Sequence, residues 1–242
     1  MRSRVAVIPA RYQSSRFPGK PLALIAGRPM LEHVWRACLR SGAFEKTVIA
    51  TDDHRIAEAA RGFGAEAVMT SATCSSGTDR VAEAMEALPA AEVIVAIQGD
   101  EPTLRPEVLA QLAAAFDDTQ VQMATLIRPL EPQERANPNV VKVARAQNGD
   151  ALYFSRADIP FGRQESPSLT RYAHIGIYGF RRRILEKLSS LPPSPLEQAE
   201  SLEQLRALEH GIAIRCLVTP FATASVDVAE DIARAEALIR AR

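Results

Sequence analysis

Short apolar runs alternate with amphipathic stretches over the first half of the chain. The runs have the length and β-branched composition of buried strands, and they predict strands over residues 5–8, 47–51, 65–69 and 93–97. Between them, apolar residues recur at helical spacing, which predicts helices over residues 30–41, 54–61, 81–88 and 106–116. Strands that alternate with helices are typical of a mostly parallel, Rossmann-like sheet with helices on both faces. The pattern therefore predicts an α/β fold.

The pattern changes after residue 120, where strands follow one another with fewer helices between them. It predicts strands over residues 121–127, 140–144, 151–155, 175–180 and 212–218. It predicts helices over residues 182–191, 197–210 and 228–242, the last with its N-terminal end at Asp227. We interpret this region as a smaller mixed-sheet portion that shapes an acceptor pocket and a dimer surface. One domain, 1–242, would then hold a nucleotide-binding half (1–120), an acceptor and dimerisation portion (121–220) and a C-terminal loop and helix (221–242).

Composition and charge narrow the possible functions. The 242 residues are 47% hydrophobic and 24% charged, as in an ordinary globular protein. Lys+Arg and Asp+Glu are equal at 29 each, which disfavours a nucleic-acid binder. The sequence shows neither an apolar stretch long enough for a membrane span nor a signal peptide. Three scattered cysteines without CxxC spacing predict a reduced, cytoplasmic protein without a cysteine zinc site.

A basic loop follows the first predicted strand. It carries the cations Arg11, Arg16 and Lys20 together with Ser14, directly after Pro9-Ala10. Cations crowded on one loop repel each other unless an anion lies among them, and hydroxyl and backbone N–H donors suit phosphate oxygens. Ligands of open α/β sheets bind beyond the carboxyl ends of the strands, where this loop lies. A solvated basic loop is the alternative. The loop matches neither GxxxxGK[ST] nor GxGxxG.

Two aspartates are candidate metal ligands. Asp100 ends a predicted buried strand in IQGDEP, where a carboxylate can hold Mg²⁺ together with substrate phosphates; a turn-forming role is the alternative. Asp227 lies in SVDVAEDI, and the residues alone favour an N-cap of the last helix over a metal ligand. The Glu next to Asp100 is interpreted as a capping or orienting residue.

The segment Ser76-Gly77-Thr78-Asp79-Arg80 leads into a predicted helix. A helix N-terminus attracts anions, and Gly77 permits close approach of a ligand to the backbone. Helix capping explains Ser76 and Thr78 without any function, but it does not explain Arg80. Among the remaining candidates, His33, His54 and His210 are assigned to surfaces, and Trp35 and Cys38 to the core.

The opening VIPARYQSSRFPGKPLALIAGRPMLEHV resembles the sugar nucleotidyltransferases, above all the 3-deoxy-manno-octulosonate (Kdo) cytidylyltransferases. The resemblance continues through SGTDR and QGDEP to SVDVAEDI, and it implies a fold of the nucleotide-diphospho-sugar transferase type. It implies that the basic loop holds the CTP triphosphate, that Gln98 contacts the nucleotide, and that Asp100 and Asp227 bind Mg²⁺. The chain departs from the family pattern at Cys74-Ser75, Ser225 and Val228-Ala229.

The acceptor side carries further resemblance in NPNVVKVA, ALYFSRADIP, HIGIYGF and SPLEQAESLEQLR. It implies that the sugar acid is bound by the following residues: Arg80, Arg156, Arg163, His174, Tyr178, Glu203 and Gln204. An anionic polyol requires an arginine for its carboxylate and neutral or acidic groups for its hydroxyls. The alternative is that Glu200, Glu203 and Gln204 form one solvated helix face and that His174 is structural.

The implied reaction is CTP plus Kdo giving CMP-Kdo and pyrophosphate, in a cytoplasmic homodimer that serves lipopolysaccharide synthesis. Lys20, Arg16, Asp100 and Asp227 would form its catalytic set. Two alternatives stay open: a cytidylyltransferase for another acidic sugar, such as 8-amino-Kdo or a sialic-acid-like acceptor, and a catalytically silent nucleotide-binding paralogue. Retention of the lysine and both aspartates argues against the silent paralogue.

Overall fold

A computed structural model describes residues 3–14, 16–163 and 169–241. The strands are β1 (Arg4–Ala10), β2 (Leu24–Ile25), β3 (Arg28–Pro29), β4 (Lys46–Thr51), β5 (Glu66–Met69), β6 (Val93–Ala96), β7 (Met123–Pro129), β8 (Lys142–Arg145), β9 (Ala151–Ser155), β10 (Tyr172–Arg181) and β11 (Ile214–Val218). The helices are α1 (Met30–Ser41), α2 (His54–Gly62), α3 (Gly77–Ala84), α4 (Pro106–Ala114), α5 (Arg182–Ser190), α6 (Pro195–Glu200), α7 (Gln204–Glu209) and α8 (Asp231–Arg240). The chain forms two compact units, Met1–Ala114 with Thr223–Arg242, and Ala115–Ala222.

The first unit is built on parallel strands in the order β6-β1-β4-β5. In the register of the central strand β1, Val7 lies opposite Val48 on one side and Ala96 on the other. The apolar side chains of β1, β4 and β6 are buried because both faces of the sheet are covered, which explains their continuous hydrophobic runs. The carboxyl ends of these strands therefore meet at one edge. The predicted α/β class with a mostly parallel sheet is confirmed.

The second unit is mixed, as the change of pattern after residue 120 predicts. Strand β7 pairs in parallel with β11 and antiparallel with β10, while β8 pairs antiparallel with both β10 and β9. Strand β10 is longer than the predicted 175–180 and contains an irregularity between Ile175 and Tyr178. The fully buried side chains of the second unit include Phe116, Phe154 and Phe180. None of the helices in the described parts of the chain has the length and hydropathy needed to cross a bilayer.

Several local predictions are wrong. The helix predicted over 81–88 begins at Gly77 and ends at Ala84. The helix predicted over 197–210 is two helices, α6 and α7, because Ser201 takes a left-handed conformation with φ 52° between them. The last helix begins at Asp231 and not at Asp227. His33 is buried rather than at the surface, and its Nε2 lies 2.7 Å from the Ile25 carbonyl oxygen.

Candidate active site

The first unit contains a cavity of about 270 Å³ beyond the ends of β1 and β6. Every residue predicted to bind nucleotide or metal lines it, and Arg80 joins them: Pro9, Ala10, Arg11, Ser14, Arg16, Lys20, Ser76, Gly77, Arg80, Gln98, Asp100 and Asp227. The lining also includes four residues that were not predicted: Pro21, Cys74, Ser75 and Gly99. A Cβ on Gly99 would lie 3.1 Å from the Pro9 carbonyl oxygen, so a glycine permits the close approach of these two segments, which the sequence does not show.

A backbone hydrogen bond closes the basic loop, and Arg55 of α2 packs against it. The Gly19 N–H donates to the Tyr12 carbonyl oxygen over 2.8 Å, and Gly19 has φ +73°. A Cβ at this position would lie 3.1 Å from the Tyr12 ring, so a glycine fits where a larger residue would be strained. The Arg55 guanidinium stacks 3.3 Å above the Tyr12 ring, and Asp53 accepts two hydrogen bonds from it. The short 3₁₀ helix Lys20–Leu22 follows directly after Gly19.

Lys20 lies between the two aspartates. Its Nζ is 2.7 Å from Asp100 Oδ2 and 3.5 Å from Asp227 Oδ1, and Arg16 Nη2 is 3.2 Å from the same Asp227 oxygen. The lysine side chain is 14% exposed, whereas that of Asp227 is 45% exposed. The two carboxylates therefore converge on one cation from separate segments of the chain.

The segment that carries Asp227 is anchored on both sides. The Val226 N–H donates to the Asp100 carbonyl oxygen over 2.9 Å, and the buried Val226 side chain packs with Ile25 and Met30. On the other side, the Asp231 carboxylate accepts the backbone N–H groups of Asp227 and Val228 at 2.9 and 3.1 Å. These hydrogen bonds hold the pKa of Asp231 below its usual value. The capping interpretation of Asp227 is therefore wrong, since Asp231 satisfies the N–H groups before α8.

The donor set fits a hard divalent cation. Two carboxylates already share one ammonium, and a cation of higher charge would be attracted more strongly to the same oxygens. Within the described residues, no group of three or more His, Cys, Asp and Glu side chains could hold a metal. Two carboxylates with the remaining ligands from phosphate and water are the usual arrangement for Mg²⁺.

Glu101, beside Asp100, has a different environment. Burial and the neighbouring Asp100 charge raise the pKa of Glu101 to about 8, while a hydrogen bond with the Thr223 side chain opposes the shift. Its Oε2 is buried without a hydrogen-bond partner. The raised pKa favours the protonated form of Glu101 at neutral pH.

Helix α3 presents its N-terminus to the cavity. Ser76 Oγ accepts the Asp79 N–H, and the Asp79 carboxylate accepts the Ser76 N–H, each at 3.1 Å, so the predicted cap at Ser76 is confirmed. The buried Arg80 donates to Thr70 Oγ1 over 2.6 Å and lies 3.4 Å from Asp52 Oδ1. These contacts fix the guanidinium at the wall of the cavity.

The other predicted acceptor residues belong to the second unit. His174 Nε2 lies 3.0 Å from Thr125 Oγ1, and desolvation lowers the pKa of His174 to about 3, so the ring is neutral. The ring centroid of His174 is 5.3 Å from that of Tyr178. The Tyr178 hydroxyl and the Gln204 amide nitrogen are buried without a hydrogen-bond partner. Buried polar atoms in native proteins are normally paired, so these two atoms mark a candidate contact region for a polar ligand. Glu203 is partly exposed one residue before Gln204.

The two arginines of the second unit that are predicted to bind the acceptor differ in their environment. The Arg156 guanidinium donates to the carbonyl oxygens of Pro138, Glu200 and Ser201 at 3.0, 2.8 and 3.2 Å, so it joins the loop at Pro138 to the C-terminal end of α6. Arg163 is exposed. Glu200 accepts hydrogen bonds from Ser155 Oγ at 2.6 Å and from the Arg156 N–H at 3.0 Å, so the solvated-face interpretation is wrong for Glu200.

Sequence reasoning missed the role of Lys142. Its side chain is fully buried, and its Nζ donates to the carbonyl oxygens of Asn137, Val140 and Arg156 at 2.7, 2.8 and 2.7 Å. The sequence offered only its position in the NPNVVKVA segment as a signal. All three cysteines are free; Cys74 lies at the cavity wall and donates to Glu83 Oε2 over 3.0 Å.

A parallel α/β sheet whose strand ends carry a basic loop, a capped helix N-terminus and two converging carboxylates defines a nucleotide-binding protein. The family profile described as Cytidylyltransferase matches residues 5–214. The chain is 56% identical to 3-deoxy-manno-octulosonate cytidylyltransferase of Myxococcus xanthus over 98% of this chain and 97% of that protein. It is 54% identical to the enzyme of the same name from Nitratidesulfovibrio vulgaris over 96% and 94%.

A solved structure of CMP:2-keto-3-deoxy-manno-octonic acid synthetase complexed with CTP superposes with a TM-score of 0.94 and 42% identity, covering 99% of both chains. The chain therefore belongs to the cytidylyltransferase family, in the group of the 3-deoxy-manno-octulosonate cytidylyltransferases, and the predicted resemblance is confirmed. It is a nucleotidyltransferase, and this family membership indicates dependence on a divalent metal ion.

Proposed function

We propose that the protein transfers CMP from CTP to the anomeric hydroxyl of Kdo, giving CMP-Kdo and pyrophosphate. The proposal rests on one observation: the carboxylates of Asp100 and Asp227 both form ion pairs with Lys20, in a cavity lined by the basic loop. The names of the relatives and the CTP in the solved homologous structure support the choice of substrates.

The nucleotide contacts follow from the cavity lining. Arg11, Arg16 and Lys20 would bind the β and γ phosphates, and the hydroxyl of Ser14 adds a donor. The remaining lining residues would contact the rest of the nucleotide: Pro9, Ala10, Ser76, Gly77 and Gln98. A preformed set of cations lowers the cost of placing the polyphosphate next to two carboxylates.

Asp100 and Asp227 would hold Mg²⁺, and a divalent cation held there would reduce the negative charge of the phosphates that faces an incoming hydroxyl. Lys20 and Arg16 are paired with these carboxylates in the present structure. Both side chains would turn from the carboxylates to the phosphates when the nucleotide binds. They would then neutralise the charge of the departing pyrophosphate.

The chemical step is a single displacement. The sugar hydroxyl attacks the α-phosphorus of CTP and releases its proton to water, the bond to the bridging oxygen breaks, and pyrophosphate leaves with that electron pair. Attack by the sugar itself requires no covalent intermediate with the protein. The role of the side chains is then to align both substrates and to stabilise developing charge.

The acceptor would be recognised by residues of the second unit. The Tyr178 hydroxyl and the Gln204 amide offer unpaired donors to sugar hydroxyls, the neutral His174 adds a polar edge, and Glu203 would accept from a hydroxyl. Arg163 would bind the carboxylate, and Arg156 would position the surrounding loops through its carbonyl contacts. Arg80 would contribute from the cavity of the first unit. A homodimer, a cytoplasmic location and a role in lipopolysaccharide synthesis complete the proposal.

A pyrophosphate-release assay tests this function. We expect Mg²⁺-dependent release with CTP and Kdo together, and none when the sugar is omitted or when UTP or GTP replaces CTP. The panel should include 8-amino-Kdo and a sialic acid, because a higher kcat/KM with either would favour the alternative acceptor. Asp100→Asn is the inactive control. CTP binding without release with any sugar acid would favour a silent nucleotide-binding paralogue.

A further inference from the structure

A buried threonine joins the two segments that carry the converging carboxylates. Thr103 lies three residues after Asp100 and is 1% exposed, and its hydroxyl lies beside the Ala224 backbone. Thr103 Oγ1 accepts the Ala224 N–H over 2.7 Å and lies 3.2 Å from the Ala224 carbonyl oxygen, to which it donates. A hydroxyl has one donor and two acceptor positions, so a single side chain satisfies both backbone groups of Ala224.

The same two segments are joined by a second hydrogen bond, from the Val226 N–H to the Asp100 carbonyl oxygen at 2.9 Å. These hydrogen bonds lie close in sequence to the two aspartates whose carboxylates face the cavity. Thr103 and Val226 are buried, whereas Asp100 and Asp227 remain partly exposed in the cavity. Residues 224–226 thus run against residues 100–103, with buried polar links behind the carboxylates.

We infer that Thr103 is a positioning residue that sets the distance between Asp100 and Asp227 and thereby the affinity of their divalent cation site. The inference rests on the proposed function, since it takes the two aspartates as metal ligands. Thr103 does not touch the cation site itself. Without its hydroxyl, the Ala224 N–H and carbonyl would lie buried without this partner, and the segment would shift to satisfy them.

Such a shift would reach Asp227 directly. Ala224 lies three residues before Asp227, and the hydrogen bonds between Val226 and Asp100 and between Thr223 and Glu101 would then have to hold the segment on the Asp100 side. A metal site formed by only two protein carboxylates is sensitive to their spacing, because a cation cannot bind both when they separate. Loss of a supporting hydrogen bond behind metal ligands typically weakens a site by about tenfold or more.

The test measures binding without turnover. Mn²⁺ binding is followed by electron paramagnetic resonance with CTP present and the sugar omitted, for the unaltered protein, Thr103→Val and Thr103→Ser. We expect about tenfold weaker Mn²⁺ binding in Thr103→Val, which keeps the shape and lacks the hydroxyl, and nearly unaltered binding in Thr103→Ser, which keeps it. Thr219→Val is the matched control, because it removes a buried hydroxyl of the second unit that accepts the Phe221 N–H over 3.3 Å.

The outcomes separate the two ideas. Equal Mn²⁺ affinity in Thr103→Val and the unaltered protein overturns the positioning role and leaves the proposed function intact. Absence of Mn²⁺ binding in the unaltered protein overturns both. A lowered thermal midpoint in Thr103→Val with unchanged affinity assigns the threonine to stability alone, against the inference. If Thr103→Val does not fold, Thr103→Ala and Thr103→Ser make the same comparison, since they also differ by the hydroxyl.

Discussion

Lys20 Nζ lies 2.7 Å from Asp100 Oδ2 and 3.5 Å from Asp227 Oδ1, so one ammonium group pairs with two carboxylates from distant parts of the chain. Without a cation between them, the carboxylates would repel each other at this separation. Lys20 therefore has two roles in the proposed cycle. It holds the ligand pair together before the substrates bind, and it stabilises phosphate charge afterwards.

Replacing Lys20 separates these roles. We expect Lys20→Met to lower kcat/KM by about 10²–10³-fold, because a preorganised cation at the leaving pyrophosphate is lost. Mn²⁺ binding should be retained or strengthened, since the competing ammonium is gone. Steady-state kinetics and Mn²⁺ titration measure the two effects. Lys46→Met, at a surface ion pair with Glu66, is the matched control, and an unchanged kcat/KM in Lys20→Met would remove this lysine from the site.

Asp227 and Asp231 should respond differently to substitution. Asp227→Asn loses the charge at the cation site, so we expect a strong loss of activity that high Mg²⁺ or Mn²⁺ partly restores, with little change in the thermal midpoint. Asp231→Ala loses the acceptor of two backbone N–H groups, so we expect a stability loss of about 1–2 kcal/mol. Calorimetry and kinetics together test the contrast, with the exposed Glu230→Gln as control. Full activity of Asp227→Asn at low Mg²⁺ would leave Asp100 as the single protein carboxylate on the metal.

Two glycines of β10, Gly176 and Gly179, should respond differently to replacement by alanine. A Cβ on Gly179 would lie 2.4 Å from the Phe116 ring, so we expect Gly179→Ala to destabilise the protein by about 1–3 kcal/mol. A Cβ on Gly176 meets nothing within 4 Å. Gly176→Ala should be neutral or stabilising by up to about 1 kcal/mol, because it reduces the freedom of the unfolded chain. Denaturant unfolding measures both; equal effects would contradict the packing described for Phe116.

His174 should make the fold sensitive to acid. Its pKa is lowered from 6.5 to about 3 by desolvation, so below pH 6.5 the unfolded chain binds a proton that the folded chain does not. The stability contribution is full above pH 6.5 and is lost as the pH falls towards about 3. We expect His174→Gln to reduce the loss of unfolding free energy between about pH 7 and about pH 5 by ~1–2 kcal/mol. His210→Gln, which changes an exposed histidine, is the matched control, and an identical loss in both variants would contradict the prediction.

Arg163 and Arg156, which are both predicted on the acceptor side, should show different defects when each is replaced by alanine. We expect Arg163→Ala to raise KM for the sugar, to leave KM for CTP nearly unchanged and to leave the thermal midpoint unchanged, because the residue is exposed. Arg156→Ala should lower the thermal midpoint, because three carbonyl oxygens lose their donor. A defect of Arg163→Ala confined to CTP would move this residue to the nucleotide side.

Most of the first unit and its cavity could be predicted from the sequence, for a local reason. Continuous apolar runs identify β1, β4 and β6 as strands buried on both faces, and polar residues directly after such strands must gather at one edge of a parallel sheet. The basic loop after β1 and Asp100 after β6 follow from this rule alone. Helix α1 was predicted with its bounds, because its apolar spacing and its closing Ser41-Gly42 agree.

The tertiary structure decided which of two locally equivalent roles a residue takes. The sequence alone favours Asp227 as a helix cap, but α8 begins only at Asp231, and the Val226 hydrogen bond to the Asp100 carbonyl holds the Asp227 segment beside Asp100, where Asp227 lies 3.5 Å from Lys20. Arginine is a typical anion-binding residue, yet the Arg156 guanidinium donates hydrogen bonds to three backbone carbonyl oxygens. The sequence by itself determined most of the strands, the edge of the sheet at which the cavity lies and the side-chain chemistry available there. Long-range hydrogen bonds, which no local pattern records, determined the partner of each charged group.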